Sequence, residues 1–227
     1  MKCRASQVLQ MKQPKSLQSA NSKATLKLNA ITTGNITITN LTGKNMIETQ
    51  RLVLRPFKET DLDDLYEYLS EITIHCFMDM KTETRDEAVE ILKERLGDSN
   101  YFAIELKETG KVIGEIFSHP EGSDPSESVK DTFSPCWMLN ERFQNKGYMT
   151  EAARTYITYL FEKCGARRVY AYTEDYNISC QKLLEKLGFR REGLYKEFVS
   201  FVNDEEGNPI YENTYEYAVL KKEWSQK

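Results

Sequence analysis

A chain of 227 residues with 40% hydrophobic and 29% charged side chains can bury one good core, and no apolar run approaches the roughly 20 residues of a membrane-spanning helix. Five cysteines, odd in number and without CxxC spacing, and two well-separated histidines argue against a disulfide scaffold or a metal centre and for a reducing, cytoplasmic setting. The charge of −4 is uneven: seven of the 31 basic residues and none of the 35 acidic ones precede residue 47, so the remainder favours cationic partners over nucleic acid.

Residues 1–46, rich in Ser, Thr, Asn, Gln and Lys, read as a flexible basic extension with neither the apolar centre of a secretory signal nor the arginines of a transit peptide. Within them, 31–38 has the β-branched content of a short strand or hairpin. The folded domain is expected over 47–227. A strand at 51–55 is closed by Pro56, and Thr60, with Asp63 behind it, is expected to cap a helix burying Leu62, Leu65, Tyr66 and Leu69. A second helix opens at Thr84 with Glu87 three residues on, turns Ala88, Ile91 and Leu92 inward, and ends at Gly97. Strands at 101–106 and 111–117 form a hairpin through Glu108, Thr109 and Gly110. A polar loop, 118–131, precedes a strand at 133–139 and a helix at 150–164. A strand at 169–173, a helix at 179–187 ended by Gly188, and long strands at 189–203 and 210–220 complete the chain. The order β-α-α-β-β-β-α-β-α-β-β is an α/β fold, a mixed sheet with helices on both faces.

The chemistry concentrates at Gln144-Asn145-Lys146-Gly147-Tyr148-Met149-Thr150. A tight polar loop between a strand and an amphipathic helix points successive N–H groups and the positive end of the helix dipole at one place. That is a cradle for an anion, and a diphosphate is its natural occupant. The stretch resembles motif A (Gln/Arg-x-x-Gly-x-Gly/Ala) of the GCN5-related N-acetyltransferases (GNAT superfamily). A second segment, Asn177, Lys182 and then Gly188-Phe189-Arg190-Arg191-Glu192-Gly193, is similar to the corresponding segment of the ribosomal-protein N-acetyltransferases of that superfamily. The two occur in the right order and at the right separation.

The resemblance implies a GNAT fold, with a mixed, mostly antiparallel sheet whose central parallel strands, 133–139 and 169–173, splay apart. It implies acetyl-CoA as co-substrate, no metal, and acetyl transfer to a primary amine by direct attack. Met138 and Leu139 would offer backbone to the pantetheine arm. Gln144 and Asn145 would begin the phosphate loop, and Lys146, Gly147, Tyr148, Met149 and Thr150 would surround the pyrophosphate. Asn177 and Lys182 belong to the second segment of the cofactor site. Glu115, His119, Glu174 and Tyr176 are candidate bases. Cys180, where the family segment carries serine, is the candidate proton donor to the leaving thiolate. The sequence departs from the pattern at Met149, where Gly or Ala is usual, and at Asn213, where an aspartate is common. Those departures, with Cys180, leave open a catalytically silent acyl-CoA-binding module. The expected partners are an amine substrate (peptide N-terminus, polyamine or aminoglycoside-like), with no membrane and no nucleic acid; a homodimer is left open.

Overall fold

The computed structural model describes residues 31–33, 36–41, 44–122 and 129–224, with side chains from residue 45 onward. The expectation of a flexible basic extension falls largely on residues 1–30, which lie outside them. Among the described residues no helix is long and apolar enough to cross a membrane.

Two sheets share the molecule. The first runs β1 (Ile31–Thr33), β2 (Ile36–Leu41), β3 (Lys44–Glu48), β4 (Leu52–Arg55), β5 (Tyr101–Leu106), β6 (Val112–Phe117) and β9 (Cys136–Leu139), each antiparallel to its neighbour. The second is ordered β11 (Arg190–Asn203), β12 (Pro209–Leu220), β10 (Arg168–Glu174), β8 (Thr132–Phe133) and β7 (Pro120–Glu121). Its pair β8–β10 is the parallel one, with Val169 opposite Phe133.

The strand expected at 133–139 is thus two strands, β8 and β9, with Ser134 and Pro135 between them. Proline has no N–H to give to a ladder. At this break the chain leaves β10 and pairs with β6 instead, Phe117 facing Cys136 and Gly114 facing Leu139. Beyond Val169, β10 therefore has no partner on that side among the described residues, and a gap opens between it and β9. The splay is a consequence of one chain segment changing sheets.

Helices cover both faces. They are α1 (Leu62–Ser70), α2 (Arg85–Gly97), α3 (Tyr148–Lys163), α4 (Ile178–Leu187) and the short α5 (Lys221–Trp224). Strand β5 shows how alternation divides the core. Phe102, Ile104 and Leu106 join Tyr156, Ile157 and Leu160 of α3 on one face. Tyr101 and Ala103 join Leu65, Leu69 and Leu92 of α1 and α2 on the other.

The expected Thr84–Glu87 capping box is present on α2. Thr60 caps nothing: it lies in a 3-10 turn, and α1 begins after Asp61, whose carboxylate takes Arg55 Nη1 at 2.7 Å, Arg55 Nη2 at 2.8 Å and the Lys58 N–H at 2.7 Å. An ion-paired carboxylate out-competes a hydroxyl for that turn. On α1 the third buried residue is Tyr68 rather than Tyr66, whose hydroxyl donates to the Glu83 carbonyl at the surface.

Candidate active site

The gap between β9 and β10 deepens into a cavity of about 480 Å³ that continues to the first turn of α3. Its floor at that end is the loop before α3. Gly147 has φ +79° and Asn145 has φ 59°, both left-handed, alternating with ordinary residues. That alternation curls consecutive N–H groups toward one side. The first hydrogen bond of the helix runs from Glu151 N–H to the Gly147 carbonyl at 3.1 Å. The N–H groups of Asn145, Lys146, Gly147, Tyr148, Met149 and Thr150 donate to no protein acceptor among the described residues. So long a run of unsatisfied donors at the mouth of a cavity is costly unless water or an anion takes it up.

The loop is held from behind. Glu151 in the first turn accepts from the Thr49 hydroxyl at 2.6 Å, the Arg51 N–H at 2.8 Å and Arg51 Nε at 2.7 Å. Burial pulls the Glu151 pKa up, but these donors outweigh it and hold the carboxyl below its ordinary range. Arg51 Nη1 donates to the Lys146 carbonyl at 3.0 Å, and its guanidinium lies 4.4 Å from the centre of the Tyr148 ring. One arginine thereby joins the start of β4 to both ends of the loop. Nothing in a single sequence marks it beyond its place before the first strand.

The wall of the gap is main chain. Asn140 N–H donates to the Ile113 carbonyl, toward β6, so strand alternation turns the N–H of Leu139 the other way, into the gap. Across from it, Gly114 leaves room for this edge: a Cβ there would stand 2.2 Å from the Met138 carbonyl oxygen. On the β10 side Thr173 lines the cavity, and its buried hydroxyl has no hydrogen-bond partner among the described residues.

Most of the sequence candidates meet here. Met138, Leu139, Gln144, Asn145 and Gly147 line the cavity, as do Tyr148, Met149 and Thr150. Asn177, Cys180 and Lys182 of α4 line it from the opposite side. Asn177 also caps α4, accepting from the Cys180 N–H at 3.1 Å, so its side-chain oxygen is already engaged. Lys146 contributes backbone to the loop, while its ammonium extends to 5.3 Å from the centre of the Phe143 ring.

Two base candidates lie elsewhere. Glu115 is completely buried, accepting from Arg95 Nε and Nη2 at 3.1 Å each and from the Tyr68 hydroxyl at 3.3 Å, outside the cavity lining. Both its oxygens are committed to this pair, which packs α1 and α2 onto β6. His119 is bound to Asp98 at 2.7 Å beside Tyr101 and Phe117, also outside the cavity lining. Glu174, by contrast, is buried and lines the cavity.

Tyr176, two residues on, is outside the cavity lining. Its hydroxyl donates to Glu212 Oε2 at 3.1 Å, and burial together with the charges of Glu174 and Glu212 pushes its pKa well up. A phenol so placed stays protonated and cannot serve as a base. Glu212 Oε1 is in turn 2.5 Å from His75 Nδ1. Neither His75 nor Glu212 was singled out by the sequence reading, since they lie 137 residues apart.

A model of the acetyltransferase (GNAT) domain matches residues 51–190. The chain is 29% identical over 180 residues to YnaD of Bacillus subtilis (strain 168), named as an uncharacterised N-acetyltransferase, covering 79% of this chain and 99% of that one. It is 26% identical to the [ribosomal protein uS5]-alanine N-acetyltransferase of Escherichia coli (strain K12), over 69% of this chain and 84% of the relative. Among solved structures, a GNAT-family acetyltransferase from Bacillus anthracis superposes with a TM-score of 0.68 at 26% identity, covering 78% of this chain and 99% of that one.

Proposed function

The chain belongs to the GNAT acetyltransferase family, and on that premise we propose that it transfers an acetyl group from acetyl-CoA to a primary amine, with a protein N-terminus as the acceptor and polyamines or aminoglycosides as the alternatives to be tested. The observation that carries this reading is the run of six unsatisfied N–H groups from Asn145 to Thr150 at the end of a cavity bounded by unpaired strand edges. A diphosphate fits the loop, where positive φ at Asn145 and Gly147 curls consecutive N–H groups toward one side. A pantetheine arm fits the gap as an added strand, with β9 on one side and β10 on the other.

The Leu139 N–H, turned into the gap, is placed to donate to a thioester carbonyl as charge builds on its oxygen. The amine attacks the carbonyl carbon directly, so positioning supplies much of the rate. Cys180 at the cavity wall is the proposed donor to the departing thiolate. The uS5-acetylating relative motivates the choice of a protein N-terminus, and Glu174 in the wall supplies negative charge for a cationic acceptor.

Thiol release measured with acetyl-CoA and a panel of peptides, polyamines and aminoglycosides tests the reading. Gly147→Glu forces a side chain onto a left-handed residue, its Cβ 3.4 Å from Arg51 Nη2, and brings a negative charge to the loop, and it should lower activity by about 10³-fold or more. Full activity in that variant would refute the loop assignment. Coenzyme binding by the wild type with no thiol release for any amine would favour a silent module instead.

A further inference from the structure

Beside the cavity, three segments distant in sequence meet. His75 opens the 3-10 turn His75–Met80 between α1 and α2, Glu212 lies on β12, and Tyr176 lies between β10 and α4. Glu212 is only 7% exposed, yet neither of its oxygens is satisfied by backbone: one faces His75 Nδ1 and the other accepts from Tyr176. A buried carboxylate this close to an imidazole nitrogen accepts an N–H, which fixes the tautomer with the proton on Nδ1. Nε2 is then the basic atom, and it has no hydrogen-bond partner among the described residues. The His75 side chain is 42% exposed, so solvent can reach it.

The cluster lies beside the cavity: Ile74, Cys76 and Phe77, next to His75 in the chain, line it, as do Glu174 and Asn177 near Tyr176, while His75, Tyr176 and Glu212 themselves stand outside that lining. The strand pairing beside Glu212 is irregular in a way that fixes it. Tyr195 pairs with Thr214 and Val199 with Glu212, so Lys196, Glu197 and Phe198 bulge opposite the single residue Asn213. Glu197 takes the uncommon φ of 47°, and its N–H donates to Asn213 Oδ1 at 3.1 Å, while Asn213 Nδ2 donates to Asp175 Oδ2 at 2.8 Å. The residue that stands where an aspartate is usual thus ties the bulge to the β10–α4 turn. Bulges and non-glycine residues at positive φ concentrate where a side chain must be aimed.

We infer that His75 is the general base that takes a proton from the acceptor ammonium, with Glu212 and Tyr176 as the positioning residues that hold its ring. This rests on the acetyl-transfer reading above. Nε2 accepts one proton from the ammonium. The freed lone pair forms the N–C bond at the thioester carbonyl as the C–S bond breaks; Cys180 gives its proton to the departing thiolate, which leaves as free coenzyme thiol, and takes up the second amine proton in its place. His75 returns its proton to solvent.

Several other titratable groups belong to the elements meeting at His75: Asp79 and Cys76 in its own turn, Glu174 and Asp175 at the end of β10, and Lys196 and Glu197 on the bulge of β11. Glu212 is the one whose carboxylate touches the ring, and Tyr176 packs against it with ring centres 5.4 Å apart.

The test is the pH dependence of thiol release at saturating acetyl-CoA, with a peptide bearing a free N-terminus, for the wild type, His75→Gln, His75→Ala and Glu212→Gln. Thermal melting and acetyl-CoA binding are measured on each variant. In the wild type the rate should fall as pH drops and Nε2 becomes protonated. His75→Gln should lose about 10²-fold in kcat at neutral pH, bind acetyl-CoA within twofold of the wild type, and follow only the titration of the amine. Added imidazole should restore part of the activity of His75→Ala, and Glu212→Gln should lose about 10-fold and shift the acidic limb. A His75→Gln enzyme with wild-type kcat and an unchanged acidic limb would overturn the base assignment alone. So would a loss matched by weaker coenzyme binding and unrelieved by imidazole, which marks a structural role. A wild type that binds acetyl-CoA but turns over no amine would overturn the acetyl-transfer reading and the base with it.

Discussion

The loop at the cavity and the side-chain cluster beside it are built on opposite plans. In the loop the groups on offer are main-chain N–H donors from consecutive residues, 145–150, left unsatisfied by one another among the described residues. In the cluster they are side chains of His75, Tyr176 and Glu212, brought from three places and satisfying one another. A main-chain site needs only a permitted backbone shape, so it is compact in sequence and tolerant of side chains, Met149 included. A side-chain site needs specific atoms at specific places and can draw them from anywhere the fold makes adjacent.

That contrast can be broken by adding atoms where the main-chain end requires none. Beyond Gly147→Glu, the largest effect is expected from Gly114→Val. Its Cβ would meet the Met138 carbonyl oxygen at 2.2 Å, and backbone cannot retreat there without moving β9 into the gap. The variant should lose about 2 kcal/mol of stability, read by denaturant titration, and bind acetyl-CoA at least 10-fold more weakly. Binding at wild-type affinity would mean that the β9 edge does not face the ligand.

A smaller effect is expected from Arg51→Ala, which frees the loop without touching its donors. The KM for acetyl-CoA should rise about 10-fold, with kcat within threefold of the wild type, because the loop must then be ordered by the ligand itself. Acid stability gives a second reading of the same contact. The Glu151 carboxyl is held below its ordinary pKa, so its contribution is complete above the value of an unfolded glutamate, about 4.3, and is lost as pH falls from there through its folded pKa. Without Arg51 that loss should shrink, and the acid limb of the stability profile should become shallower. An unchanged profile would show that Thr49 alone sets the Glu151 pKa.

Local signals made much of this molecule legible. The Thr84–Glu87 box, the Glu108–Gly110 hairpin and the Gly188 helix stop each depend on a few adjacent residues, and each lies where the sequence puts it. The turn of positive φ before α3 is legible for the same reason. What could not be read depends on contacts made elsewhere. Thr60 yields to Asp61 because Arg55 reaches across to that carboxylate. Tyr68 replaces Tyr66 in the core because Glu115 and Arg95 await it on β6 and α2. Glu115 resembled a base only while its arginine was unseen. Pro135 and Gly114 were signals in plain view, a proline and a glycine inside expected strands, and they mark the splay and the clearance beside it.

The most direct test of the central claim is the crystal structure of the protein grown with acetyl-CoA. The account predicts diphosphate oxygens within hydrogen-bonding distance of N–H groups between Asn145 and Thr150, and the pantetheine arm lying between β9 and β10. A coenzyme bound with its diphosphate on any other surface, those N–H groups turned to water, would contradict it.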